Sequence, residues 1–88
     1  MYLKKYLSNK LTIFSKYNCL ECNKIKQFLD SNRYEYTLIN IENISDDEVF
    51  DLIDELKNLS GSNSFPFCFH EGLYCSPELL KKKLIFNL

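Results

Sequence analysis

A change of hydrophobic period around residue 19 constrains the fold of this chain more than any other feature. Leu11-Thr12-Ile13-Phe14-Ser15 is a short apolar run suited to a strand covered on both faces. From Cys19 to about Ser31 the apolar side chains Cys22, Ile25, Phe28 and Leu29 follow the helical repeat instead, with Lys24, Lys26 and Gln27 facing outward. A strand therefore feeds directly into a helix. The pattern then recurs: Tyr34-Glu35-Tyr36-Thr37-Leu38-Ile39-Asn40-Ile41 is rich in β-branched and aromatic residues and suits a second strand. Val49, Leu52, Ile53, Leu56 and Leu59 give an amphipathic helix ending before Gly61. Ser45 followed by Glu48 predicts a capping box at its start, and Asp46, Asp47 and Glu48 in its first turn suit the helix dipole.

The rest of the chain departs from this alternation. Phe65-Pro66-Phe67-Cys68-Phe69 reads as a strand that begins at a proline, and Glu71-Gly72 offers a tight turn into Leu73-Tyr74-Cys75. Ser76-Pro77-Glu78 supplies an N-cap and a proline at the first helical position, opening a last helix through about Ile85. Met1 to Lys10 puts Leu3, Tyr6 and Leu7 at helical spacing, a stretch short enough to be a helix, a docked turn or a frayed end. The expected fold is α/β in the order β-α-β-α-β-β-α, a four-stranded mixed sheet flanked by helices, with an optional extra helix at the N-terminus. Right-handed crossover makes the first two strands parallel, and the terminal hairpin adds antiparallel ones.

Eighty-eight residues make one small domain, 1–88, and 45% hydrophobic content with 13 aromatics is enough to give it a core. The net charge of −1 leaves no overall positive field to hold nucleic acid or an anionic membrane. Charge is uneven all the same. Residues 1–33 carry seven Lys or Arg against two acids, whereas 34–60 carry eight acids against Lys57 alone. This is either two differently solvated faces or a weak field that draws an anionic substrate to the basic half. No apolar run approaches the roughly 20 residues of a membrane span, and Met1-Tyr2-Leu3-Lys4-Lys5 lacks the continuous apolar core of a signal peptide. A cytoplasmic monomer with mostly reduced thiols is expected.

Chemistry concentrates at Cys19-Leu20-Glu21-Cys22, where the first strand turns into the first helix. Residues three apart on a helix approach to roughly 5–6 Å, inside the window a disulfide permits. Free amides and the dipole at a helix start stabilise an anion, so Cys19 is expected to be the thiolate. Cys22, one turn inside, is expected to stay a shielded thiol. Cys19 would then attack a substrate disulfide and Cys22 would resolve the mixed disulfide. The competing reading of the pair is half a zinc site completed by Cys68, Cys75 or His70, since Cys68 and Cys75 would face each other across the hairpin. Those elements look fixed by packing rather than by metal, so no metal is expected. Cys68 and Cys75 read as small buried hydrophobes and His70 as a solvent-facing turn residue.

The run from Leu11 to Cys22 resembles the active-site strand and loop of glutaredoxins, which have the thioredoxin-like fold. Ile39-Asn40-Ile41-Glu42 resembles the end of that family's second strand. Ser64-Phe65-Pro66 is similar to its Thr-Val-Pro loop with a cis proline, and Leu73 to Leu79 to its Gly-Gly-x-Asp-Asp-Leu segment. The resemblance implies a dithiol oxidoreductase that reduces protein or glutathione mixed disulfides with electrons from glutathione or a flavin reductase; ribonucleotide reductase is one protein substrate it suggests. It implies that Lys16, with Tyr17 beside it, holds the thiolate and a glutathione carboxylate. It also implies that the Phe65 backbone pairs with the cysteinyl unit, that Pro66 faces the dithiol, and that Ser76 and Glu78 meet the γ-glutamyl end. Two alternatives accompany it: a [2Fe-2S] cluster shared between two chains through Cys19 and glutathione, and a thioredoxin-fold adaptor without turnover. Departures from the family pattern are Leu20-Glu21 between the cysteines, Tyr74 and Cys75 where paired glycines stand, and Pro77, which has no N–H to donate. Weakened glutathione binding is expected.

Overall fold

A computed structural model describes residues 2–7 and 10–86 of the chain, with the elements β1 (Leu11–Ser15), α1 (Leu20–Ser31), β2 (Tyr36–Asn40), α2 (Asp46–Ser60), β3 (Phe67–His70), β4 (Leu73–Cys75) and α3 (Pro77–Phe86). The strands form one sheet in the order β2-β1-β3-β4. β1 pairs parallel with β2 and antiparallel with β3, and β3 pairs antiparallel with β4. This is the expected mixed sheet, and β1 lies inside it with every residue buried. Its side chains alternate between two cores. Phe14 joins Leu52, Leu56, Phe67 and Phe69 beneath α2, while Leu11 and Ile13 join Ile25, Leu29, Cys68, Cys75 and Leu80 beneath α1 and α3. Among the described residues no helix is long and apolar enough to cross a membrane.

Local geometry follows the turn chemistry. Glu71 and Gly72 both have positive φ, 54° and 82°, the conformation of a primed two-residue turn that matches strand twist. Gly61 ends α2 in the left-handed region at φ 70°, its N–H bonded to the Lys57 carbonyl. At the end of α1 the same region is occupied by Arg33, at φ 61°. The Tyr34 N–H reaches back to the Leu29 carbonyl at 2.9 Å, closing the helix end. For that reason the second strand starts at Tyr36, not at Tyr34. Tyr34 stacks on Phe28, with ring centroids 6.3 Å apart, and its hydroxyl donates to the Leu84 carbonyl on α3. Similarly, Phe65 and Pro66 precede β3 instead of opening it, because proline cannot donate to the ladder.

The N-terminal stretch is a docked turn. Leu3–Tyr6 forms a 3₁₀ turn whose Leu3 is fully buried in the α2-side core; Met1, Ser8 and Asn9 of that stretch lie outside the described residues. The Glu55 carboxylate accepts the N–H groups of Tyr2 and Leu3, at 3.0 Å each, so it caps the turn from α2. One α2 turn pair away, Glu48 accepts from the Lys5 ammonium and the Tyr6 hydroxyl. This overturns the capping box: Ser45 occupies the N-cap position of α2 without a side-chain bond. Glu48 turns instead to a charged partner, which attracts a carboxylate more strongly than a neutral amide does.

This contact carries a pH dependence of definite sign. The Lys5 bond, aided by Tyr6 and opposed by burial, holds the Glu48 carboxyl below the usual carboxylate range. A group whose folded pKa is depressed adds stability above the unfolded carboxylate range and loses it as pH falls through the lower folded value. Urea unfolding of the wild type and of Glu48→Gln is expected to differ at near-neutral pH, with the gap closing below the carboxylate range. An equal gap at both pH values would mean that charge at Glu48 plays no part.

Candidate active site

The chain leaves β1 through Lys16-Tyr17-Asn18 and enters α1 at Cys19. Asn18 takes a left-handed conformation, φ 54°, which Asn tolerates better than most residues, and it turns the chain so that Cys19 becomes the helix N-cap. Cys19 and Cys22 are joined in a disulfide across a Cα separation of 5.2 Å. The two sulfurs are not equivalent. Cys19 is 8% exposed and sits at the helix start, whereas Cys22 is wholly buried within the first turn. The Cys22 N–H donates to Cys19 Sγ at 3.2 Å, a bond that would stabilise negative charge on that sulfur once the disulfide opens.

Three further segments converge here. The Phe65–Pro66 peptide is cis, and the Phe65 carbonyl oxygen lies 3.9 Å from Cys19 Sγ. Two contacts hold the Phe65 ring: it meets Phe67 edge-on with centroids 4.9 Å apart, and Lys16 Nζ stands 5.8 Å from the Phe65 centroid. Beside the dithiol opens a cavity of about 340 Å³. Glu21 borders it from α1, Ser62, Ser64, Phe65 and Pro66 from the loop before β3, and Tyr74, Ser76, Pro77 and Glu78 from the end of β4 and the start of α3. Ser76 also caps α3, its hydroxyl accepting the Leu79 N–H at 3.2 Å.

The structure thus gathers Phe65, Pro66, Ser76 and Glu78 around one cavity, with Lys16 reaching Phe65 from outside it. Tyr17 stays off the cavity wall. Its backbone N–H donates to the Glu42 carboxylate at 2.7 Å, and its hydroxyl donates to Asn43 Oδ1 at 3.2 Å. Glu42 is therefore a positioning residue for the active-site loop that residue types alone did not single out. A usable signal existed: parallel pairing of β1 and β2 brings their C-terminal ends together, so the residues just beyond Ser15 and Asn40 are neighbours. Tyr74 packs edge-on against Phe69 and Cys75 is buried in the core, so the residues standing in place of the family's glycines serve packing. Cys68 and Cys75 face each other across β3 and β4. Burial, with Cys75 and Glu78 nearby, pushes the Cys68 thiol up to about 12, and burial raises Cys75 as well. Both are inert thiols at neutral pH. His70 ends β3, half-buried and paired with Leu73 rather than in the turn itself.

Residues 11–74 match the family model described as Glutaredoxin. None of the curated proteins matches the chain. Among solved structures, reduced glutaredoxin C1 from Populus tremula x tremuloides is 24% identical with a TM-score of 0.80, over 98% of this chain and 74% of that one. The holo form of the same poplar protein is 26% identical with a TM-score of 0.78, over 97% of this chain and 79% of that one. A buckwheat glutaredoxin in complex with glutathione is 23% identical with a TM-score of 0.78, over 98% of this chain and 77% of that one.

The asymmetry of the two sulfurs gives a direct expectation. In Cys22→Ser, treatment with an oxidised low-molecular-weight thiol should leave a stable adduct on Cys19, with Cys68 and Cys75 unmodified until the protein is unfolded. Peptide mapping by mass spectrometry that found the adduct on Cys68 or Cys75 in the folded protein would reverse the assignment.

Proposed function

The chain belongs to the glutaredoxin family, and on that premise we propose that it is a cytoplasmic dithiol oxidoreductase that reduces protein and glutathione mixed disulfides through Cys19 and Cys22, with glutathione as reductant. The observation that carries this reading is the Cys19–Cys22 disulfide at the start of α1, next to the cis Phe65–Pro66 peptide. A proline at this place has no N–H, and the carbonyl before it is presented toward Cys19, leaving a backbone edge along which an extended substrate can lie.

The proposed reaction is a sequence of thiol–disulfide exchanges. The Cys19 thiolate attacks one sulfur of the substrate disulfide; that S–S bond breaks, a new one forms to Cys19, and the departing thiolate takes up a proton. Cys22 then loses its proton and attacks Cys19 Sγ, releasing the second substrate thiol and leaving the intramolecular disulfide. Two electrons have passed to the substrate. One glutathione thiolate reopens the disulfide as a mixed disulfide on Cys19, and a second removes it as oxidised glutathione, restoring the dithiol. Lys16 meets a ligand carboxylate, the Phe65 backbone meets the cysteinyl unit, and Ser76 and Glu78 meet the far end, while Tyr17, held by Glu42, keeps the loop in place. The buckwheat glutaredoxin solved with glutathione supports this choice of reductant.

A coupled assay comparing glutathione plus its reductase with thioredoxin reductase is the test. Turnover is expected with glutathione and absent in Cys19→Ser. Lys16→Ala should raise KM for a glutathione mixed disulfide about tenfold, the loss of one charge-assisted bond, with kcat little changed. Turnover with thioredoxin reductase alone would overturn glutathione as the donor.

A further inference from the structure

Resting on the reading of this cavity as the substrate site, we infer that it selects disulfides with a positive charge beside the reacting cysteine and disfavours those with a carboxylate there. The ionised groups that border the cavity are two carboxylates brought by different helices, Glu21 from α1 and Glu78 from α3. Glu21 is shared with Lys24 through an exposed ion pair at 3.3 Å, which offsets its charge only in part. Glu78 has no ion-pair partner among the described residues. Lys16 approaches the Phe65 ring, its Nζ 5.8 Å from the centroid, without bordering the cavity, so its positive charge is not among those that line the wall.

A second observation points the same way. A helix start is an ordinary place to receive an anion, because its first N–H groups are unpaired. At the start of α3 they are mostly absent or occupied. Pro77 has no N–H, the Leu79 N–H is taken by the Ser76 hydroxyl, and the Leu80 N–H by the Ser76 carbonyl. Only the Glu78 amide is left, on the residue whose own side chain is negative. A ligand carboxylate arriving at this helix start finds one free backbone amide and, across the cavity, two carboxylates that repel it, the serine and tyrosine hydroxyls of the wall being neutral, whereas an ammonium finds two acceptors of opposite charge. The γ-glutamyl end of glutathione carries both groups and is served at one of them, which gives the weakened affinity a physical form. A disulfide with an ammonium and no carboxylate is served fully.

The experiment follows the exchange chemistry already described, in which two electrons pass from the dithiol to the added disulfide. Pre-reduced protein is mixed with cystamine, with 2-hydroxyethyl disulfide or with 3,3′-dithiodipropionate, and formation of the Cys19–Cys22 disulfide is followed by acid quench and mass spectrometry. Each rate is divided by that of dithiothreitol with the same reagent, to remove intrinsic reactivity. The normalised rates are expected to fall in that order, spanning about tenfold at low salt and less at high salt, as partly screened surface charges require. In the double variant Glu21→Gln, Glu78→Gln the span should shrink severalfold. Glu78→Gln alone, which breaks no ion pair, should shrink it by about half on a logarithmic scale and serves if the double variant does not fold. No span in the wild type, or the same span in the variants, overturns the inference while leaving the oxidoreductase reading intact. Failure of all three reagents to oxidise Cys19 and Cys22 overturns both.

Discussion

Everything at the site depends on β1 being held from both edges. It pairs with β2 on one side and β3 on the other, and its side chains are buried on both faces. A strand so enclosed has little freedom to slip, because a one-residue shift would move Phe14 and Ile13 each into the wrong core. The register Phe14↔Phe67 then carries the chemistry. Strands that run antiparallel bring the residue after one partner beside the residue before the other, so the exit of β1 toward Cys19 meets the entry of β3 from Pro66. The dithiol and the cis peptide are brought together by the same ladder that builds the core.

A second framework is electrostatic and joins the N-terminal turn to α2. Glu48 and Glu55 face the turn from one side of the helix, the first bound to Lys5 and Tyr6 and the second to two backbone N–H groups. Leu3 is thereby pressed into the core beside Phe14 and Phe67. Two of the acids in the negative segment of the sequence are thus not a solvated face but clamps on the basic segment that precedes it.

What the sequence made legible was whatever depends on near neighbours. The switch of period gave β1 and α1, Glu71-Gly72 gave the hairpin, Ser76-Pro77 gave the start of α3, and the spacing of Cys19 and Cys22 gave the dithiol. The misreadings share one cause. Ser45 and Glu48 have the local signature of a capping box, yet Glu48 is drawn away by Lys5, far off along the chain. Tyr34 has the residue type of a strand, yet the left-handed turn at Arg33 delivers it to Phe28 and Leu84. Glu42 as a brace for the Tyr17 loop and Ser62 as part of the cavity wall have no local signature at all, because their roles arise from segments that meet only after folding.

The placement of Cys68 and Cys75 has a consequence for how the protein reaches its oxidised state. Four cysteines can pair in three ways. Opposed on the hairpin and sealed in the core, Cys68 and Cys75 are withheld from exchange, so any bond between them and Cys19 or Cys22 requires the sheet to open. Mispairing is therefore confined to the unfolded ensemble, and completion of the core acts as the proofreading step that leaves Cys19 alone at the surface, with Cys22 buried beside it as the one sulfur it can reach.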